Sequence, residues 1–453
     1  MTKKAASANP PKPAEAPVGK DIRAFFLIWI GQVVSLVGTG LSRFGFGVWV
    51  FETTGSITQF TLITVAGSLP GLLVAPLAGA FIDRWDRRSL LIVADVASGL
   101  CVLGVALMHW QSGLEIWHIY LYTSVISVLN AFQVPAFLAT ASLMVPKKHF
   151  GRIGGLLQVG PATAGILAPI SAGFLMVSIG LGGVILVDVI TFLFAVGTLL
   201  LVRIPKPRPI NGVEEHGSLR EDILTGWRFL RERPALLGLL GFFAFINLVF
   251  SITMVLLTPM VLSFSSAAVL GMVSSVLSLG ILVGGIVMSV HPGPKRRVYG
   301  VLVGGFFQGV GMILVGLRPQ AFLIAAGLFC LSFSVAIVNA NSQVIWQSKV
   351  PSALQGRVFA VRRMIAHFTQ PVGQLMAGPM AARIFEPMLL PGGALVASVG
   401  PFLGVGPGRG IGLINVTFGV LPMIAAIVGY LSPRLRRLEE DLPDALSEES
   451  AGG

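Results

Sequence analysis

Charge is what this sequence has least of. Only 11% of its 453 residues are Asp, Glu, Lys or Arg, against roughly a quarter in a soluble domain. Hydrophobic residues make up 54%, and so few charges could not solvate a globule of this size. Cysteine is as scarce: Cys101 and Cys330 each sit inside an apolar run, which excludes a disulfide framework. The histidines, His109, His118, His149, His216, His291 and His367, form no His-x-x-x-His pair and no Cys–His cluster with metal spacing. No Gly-x4-Gly-Lys-Ser/Thr loop is present. Neither a metal, a cofactor, ATP drive nor an enzymatic reaction is therefore expected of this chain. Residues 1–20 are rich in Ala, Pro and Lys and lack an apolar stretch, so they read as a disordered cytoplasmic tail rather than a signal peptide.

What is present is long apolar runs. In lipid only helices or closed barrels satisfy their backbone groups, and continuous runs of ~20 residues favour helices over the ~10-residue alternation of a barrel strand. The spans read as 24–50, 58–82, 89–109, 118–143, 152–176, 182–203, 235–260, 267–290, 298–317, 321–346, 357–384 and 409–432. Glycine, at 55 residues, suits helices that pack closely in a bilayer.

The formal net charge of +12 points to a membrane topology rather than to nucleic acid, because the cations occupy short turns between apolar runs. All but four of the 32 Lys and Arg fall in the first tail, alternate turns, the middle loop or the last tail; the exceptions are Arg43, Arg318, Arg383 and Arg409. That bias predicts an even number of spans with both termini in the cytoplasm of a bacterial inner membrane. The expected organisation is residues 1–20 as a tail, 21–204 as a six-helix bundle, 205–233 as a cytoplasmic linker, 234–432 as a second six-helix bundle and 433–453 as an acidic cytoplasmic tail. Within the linker, Ser218 and Glu221 form a capping-box pattern. Leu219, Ile223, Trp227 and Leu230 then make an amphipathic face, suited either to the membrane surface or to packing on the protein's own loops.

The two halves carry an internal repeat. Val145-Pro146-x4-Gly151-Arg152 recurs as Val350-Pro351-x4-Gly356-Arg357, and Ala172-Gly173 recurs as Ala377-Gly378, all at one offset of 205 residues. Duplicated halves around a central site are a transporter architecture. The fold class expected is an all-α membrane protein of twelve transmembrane helices in two pseudo-symmetric six-helix bundles.

At the turn after the second span the sequence reads Gly79-Ala-Phe-Ile-Asp83-Arg84-Trp-Asp86-Arg87-Arg88. It resembles the signature of the major facilitator superfamily, Gly-x3-Asp-Arg-x-Gly-Arg-Arg/Lys, with Asp86 at the second Gly. Trp49, Glu52, Thr54-Gly55-Ser56 and Ala131-Phe132-x-x-Pro135-Ala136 resemble its macrolide-efflux and enterobactin-exporter-like branch. The resemblance implies that Asp83 engages the start of the eleventh span near Gly356, making the turn a gate. It also implies that the first, fourth, seventh and tenth spans line a central cavity. Gly160-Pro161-Ala-Thr-Ala164-Gly165 loosely matches an antiporter pattern of the fifth span and favours export. The fourth span lacks the Arg of an Arg-x-x-Gln-Gly pattern; its nearest match is Asn130-x-x-Gln133, so coupling through that position is not implied.

Polar side chains inside the spans are the remaining candidates. Gln32, Ser35, Thr39 and Arg43 are spaced to share one face of the first span. Asn130 and Gln133 on the fourth, Asn247 and Ser251 on the seventh, and Asn339 and Gln343 on the tenth complete the candidate substrate cavity. Arg43 would meet an anionic substrate or a coupling carboxylate, with a structural pair near the outer leaflet, such as Glu52, as the alternative. Asp95 and Asp188 are candidate coupling groups, Asp188 with a structural reading beside it and Asp95, like Asp86, as an alternative partner for Arg84, Arg87 and Arg88. Phe245, Phe250 and Trp346 would suit an amphipathic substrate. The expected function is secondary active export of a small amphipathic molecule by a monomer whose partners are that substrate and membrane lipid, with no nucleic acid. An importer or lipid translocator, and a non-transporting scaffold, are the alternatives.

Overall fold

The computed structural model describes residues 22–82, 87–145, 150–202, 219–291, 293–442 and 444–445. The first tail, Asp83, Arg84, Asp86, Pro146 and most of the linker lie outside them. Regular structure among the described residues is helical throughout. The first half comprises α1 (Ile22–Thr54), α2 (Ile57–Ala66), α3 (Leu69–Ile82), α4 (Arg87–Trp110), α5 (Ile116–Met144), α6 (Phe150–Ser178) and α7 (Gly180–Leu201). Then come the linker helix α8 (Leu219–Arg231) and α9 (Pro234–Leu262), α10 (Ala267–Val290), α11 (Arg297–Leu317), α12 (Ala321–Lys349) and α13 (Ser352–Met380). A π-turn (Ala381–Phe385) leads into α14 (Glu386–Leu389), α15 (Gly400–Leu403), α16 (Arg409–Leu431), α17 (Pro433–Arg436) and α18 (Leu438–Asp441).

Eleven segments among the described residues are long and apolar enough to cross a bilayer. α13 is not one of them, because His367, Gln370 and Gln374 dilute its apolar run. At 29 residues it is nevertheless long enough, and it packs along α9 within the bundle, consistent with a twelfth span. The second span is broken in two at Gly67–Ser68. Pro70 has no N–H to continue a helical ladder, and the chain turns there with Gly67 donating to the Ile63 carbonyl at 2.8 Å. Short connections make successive spans antiparallel. One end of the molecule, here the basic end, therefore carries the starts of α1, α6 and α13, the linker helix and the end of α16.

The packing repeats between halves. α1 packs on α6 and α7, α5 on α3 and α4, and α4 on α7; correspondingly, α9 packs on α13 and α16, α12 on α10 and α11, and α11 on α16. The halves meet along two equivalent seams, α6 against α10 and α13 against α2. The Ala-Gly pairs of the sequence repeat sit at those seams. Ala172 and Ala377 are fully buried. A Cβ on Gly173 would come within 2.5 Å of the Ala267 carbonyl of α10, and one on Gly378 within 3.0 Å of the Thr58 Cα of α2. The repeat thus records two close backbone crossings that only a small residue permits.

The linker helix packs on the second half. Asp222 pairs with Arg357 at 2.6 Å, Gly226 lies against the Arg357 carbonyl, and Phe229 and Leu230 are buried with Leu236, Val358 and Val361. Of the expected face, Leu230 is buried and Ile223 packs against the same core, whereas Trp227 is 42% exposed. The segment after α16 is docked over residues 433–442 and 444–445. Leu438 is fully buried, Glu439 accepts from the Val298 amide at the start of α11 (3.0 Å), and Lys349 pairs with Asp444 at 3.0 Å. At the opposite end, the Gly- and Pro-rich connection between α13 and α16 is ordered around Glu386. Its carboxylate accepts from the amides of Gly408 and Ile411, both at 3.2 Å, capping α16. Burial pushes this carboxyl up from its usual range, while those amides and the Arg409 charge pull it back down.

Candidate functional site

A cavity of about 770 Å³ lies between the halves. The polar stripe of α1 forms one wall, with Gln32, Ser35, Thr39 and Arg43 on the same face, as the 3- and 4-residue spacing dictates. α5 supplies Thr123, Ser127, Asn130 and Gln133; the second half supplies Met254, Val255 and Thr258 from α9 and Gln374 from α13. Aromatic rings of Trp29, Phe44, Phe60, Tyr122 and Phe137 complete the wall. Toward the basic end it adjoins a second space of about 340 Å³ that shares Ser68, Ser127 and Asn130 and adds His367 and Gln370. Between the two, at the break between α2 and α3, the Ser68 hydroxyl donates to Gln374 Oε1 of α13 at 2.9 Å, a polar tie across the halves.

Among the described residues the halves share an apolar core at one end of the passage and none at the other. At the end away from the basic turns, a single apolar core takes residues from both halves: Val48 and Phe60 pack with Ile252, Leu256, Ala377 and Ala381. Toward the basic end the cores separate. One runs from Phe25 to Val202 within the first half, the other from Phe229 to Leu438 within the second. Gly154 and Gly155 at the start of α6, Gly285 near the end of α10 and Gly356 at the start of α13 face open space, with nothing within 4 Å of where a Cβ would stand.

The acidic candidates stand behind the wall. Asp95, buried on α4, accepts from Gln32 Nε2 at 2.8 Å and from Gln133 Nε2. The expected pairing with Arg84, Arg87 and Arg88 involves side chains that lie outside the described residues. Asp95 lies eight residues into α4, ~12 Å from its start at 1.5 Å per residue, and its described partners are the two cavity glutamines. Asp188, buried on α7, accepts from Ser42 Oγ of α1 at 2.5 Å and faces Gly38, where no side chain intervenes. Arg43, next to Ser42, turns into the cavity and makes no hydrogen bond or ion pair among the described residues. Glu52 cannot serve it: nine residues further along α1 places it ~13 Å away. A charge at bilayer depth costs roughly 2.5–3.5 kcal/mol by insertion scales unless water reaches it, so an unpaired Arg43 belongs to a hydrated space.

The second-half candidates fall elsewhere. Asn247 donates to the Ala366 carbonyl of α13 at 3.3 Å, and Ser251, buried, donates to Leu248 O opposite Gly373. Both close the α9–α13 seam rather than line the cavity, because Gly373 lets α9 present its polar face to α13. Asn339 and Gln343 are exposed and outside the cavity, and Gln343 accepts from Arg362 Nη1 at 3.3 Å. Arg362 also donates to Ser342 Oγ and covers the Trp346 ring 5.0 Å from its centroid, so Trp346 is buried rather than free for a substrate. Gly79 lies in α3 and Arg87 and Arg88 open α4; Asp83, Arg84 and Asp86 fall outside the described residues, and with them the expected gating contact. Arg357, beside Gly356, is engaged by Asp222 of α8. Sequence reasoning missed Trp29, Tyr122 and Gln374. For Gln374 a signal existed, a second amide one turn after Gln370 on the same face of α13, whereas nothing distinguishes Trp29 or Tyr122 from lipid-facing aromatics.

Comparison with known proteins bears on this arrangement. The sequence model of the Major Facilitator Superfamily matches residues 28–374. Macrolide efflux protein A of Streptococcus pyogenes is 25% identical over 374 residues, 80% of this chain and 90% of that protein. The multidrug efflux pump Tap of Mycolicibacterium fortuitum is 24% identical over 371 residues, 78% of this chain and 88% of that one. Among solved structures, a bacterial homologue of the human lysosomal transporter Spinster, in an inward-facing and unoccupied conformation, superposes with a TM-score of 0.69 at 16% identity, covering 93% of this chain and 99% of that one.

Proposed function

The chain belongs to the major facilitator superfamily, and on that premise we propose that it is a secondary active transporter that exports small amphipathic molecules by alternating access. The basic end is cytoplasmic, by the distribution of Lys and Arg, and the membrane is the bacterial inner membrane. The conformer described above is then the one loaded from the cytoplasm. A monomer suffices, since the passage is built within one chain. Small amphipathic solutes suit a space of about 770 Å³ with amide and hydroxyl groups on one wall and aromatic rings around them. Export rather than import is supported by the kinship with efflux proteins. Asp95, held by two glutamines that line the cavity, is the group best placed to link ion binding to occupancy.

The observation that carries this reading is the asymmetry of packing: one apolar core shared by the halves at one end and separate cores at the other, with the cavity between. The experiment is dye accumulation in a bacterial strain stripped of its own efflux pumps, with cationic, neutral and anionic fluorescent amphiphiles. Expression should lower the intracellular level of at least one dye, and an uncoupler should restore it. A rise in accumulation would mean import. No change for any dye, together with failure of an aqueous thiol reagent to label Thr39→Cys, would end the transporter reading.

A further inference from the structure

Arg43 is the only charged side chain among the described residues on the wall of the larger cavity. The carboxylates that could neutralise it are engaged elsewhere: Asp188 by Ser42 and Asp95 by Gln32 and Gln133. Tyr122 and Thr39, whose hydroxyls could share a bound group, line the same wall, and Tyr122 is within electrostatic reach of Arg43. The guanidinium also sits deep. Along α1 the lining runs from Trp29 to Gly47, and Gly47 meets the Phe60 ring where the shared apolar core closes the passage. A molecule entering from the basic end passes Trp29, Phe137 and Leu138 before its leading group reaches Arg43.

We propose that the cavity selects an amphipathic organic anion, with Arg43 anchoring its carboxylate and the aromatic wall holding its apolar body. A guanidinium presents a planar fork of donors that matches a carboxylate two bonds at a time, and here no carboxylate among the described residues is bonded to it. A cationic molecule would meet that charge first, Asp188 being held by Ser42 behind the wall, so the same residue sets selectivity by exclusion. The proposal rests on the transport reading above and names the class of solute for it.

The test uses the full-length protein purified in neutral detergent, with dansylglycine and its methyl ester as probes and quenching of tryptophan emission as the readout. The acid should bind at least about tenfold more tightly than the ester, as a charged hydrogen bond implies. Arg43→Gln should bring the two affinities together by weakening the acid while leaving the ester unchanged. Arg43→Lys, a point charge without the fork, should keep part of the preference. Equal binding of acid and ester to the unaltered protein, no binding of the acid, or an undiminished preference in Arg43→Gln would overturn the proposal. If dye export persists in any of those cases, the anion site alone is lost. If the acid binds through Arg43 but no dye is moved, the site stands and the transport reading falls.

Discussion

Gly378 offers the most direct handle on alternation. It crosses α2 with so little clearance that a Cβ would stand 3.0 Å from the Thr58 Cα and 3.4 Å from the Thr61 Cβ. Gly378→Leu would place a full side chain there, and overpacking of this kind costs about 1–3 kcal/mol. The cost falls only on a conformer in which the α2–α13 seam is shut at that end, since in the opposite conformer the two backbones part. At 1.4 kcal/mol per tenfold change, the ratio of the two conformers should move about 5- to 150-fold toward opening at the end opposite the basic turns. Spin labels at Glu52 and Ile384, both exposed near that end, would report it by pulsed dipolar spectroscopy on a background lacking Cys101 and Cys330. A longer component should grow in the distance distribution. Gly173→Leu, at the symmetric crossing of α6 with Ala267 and Ala268, should act in the same direction. An unchanged distribution in either variant, with an unaltered melting temperature, would refute the idea that these crossings hold one conformer shut.

Further expectations follow from the buried polar contacts. Asp95→Asn replaces a carboxylate that accepts from two glutamine amides with a group that must itself donate; it should cost about 1–3 kcal/mol in a detergent melt and abolish the pH dependence of dye efflux. Gly226→Leu has no room against the Arg357 carbonyl, so α8 should lift from α13 and trypsin should cleave sooner at Arg228 or Arg231. By contrast, Asp222→Ala removes only a half-exposed pair, worth at most about 1 kcal/mol, and should leave cleavage little changed. Glu386→Ala strips the cap from α16 and leaves Arg409 buried without its nearby carboxylate; a loss of about 3–5 kcal/mol should appear as a lowered melting temperature, with Glu386→Gln affected less.

The parts of this molecule legible in its sequence are those set by bulk composition and local spacing. Apolar run length gave the helices, because a bilayer demands ~20 residues per span whatever the partners. The α1 stripe faces the cavity because 3- and 4-residue steps on one helix cannot do otherwise than share a face. The equivalent reasoning failed on α9 and α12. A polar face can point to a lumen or to a neighbouring helix, and the choice depends on small residues on another element. Gly373, more than a hundred positions away, lets Asn247 and Ser251 turn toward α13. Likewise α8 buries Phe229 and Leu230 but not Trp227, its largest apolar side chain, because Gly226 brings that side of the helix against the Arg357 carbonyl.

The offset of 205 residues carries more mechanism than any single motif in the chain. It preserves Ala-Gly at two places that have no local reason to match, one in α6 and one in α13, and each place is a crossing with the other half. Two crossings related by that symmetry define an axis between the halves. Motion about such an axis opens both seams at one end together while the other end closes, which a single crossing could not enforce. The cavity lies beside that axis, with the Ser68–Gln374 bond between its two spaces. That bond spans the α2–α13 seam near mid-span, farther from the shut end than Gly378, so rocking should strain it least of the contacts between halves. It is therefore the contact expected to persist in both conformers, and a cysteine pair at Ser68 and Gln374, once oxidised, should leave transport intact where a pair at Thr61 and Gly378 should arrest it.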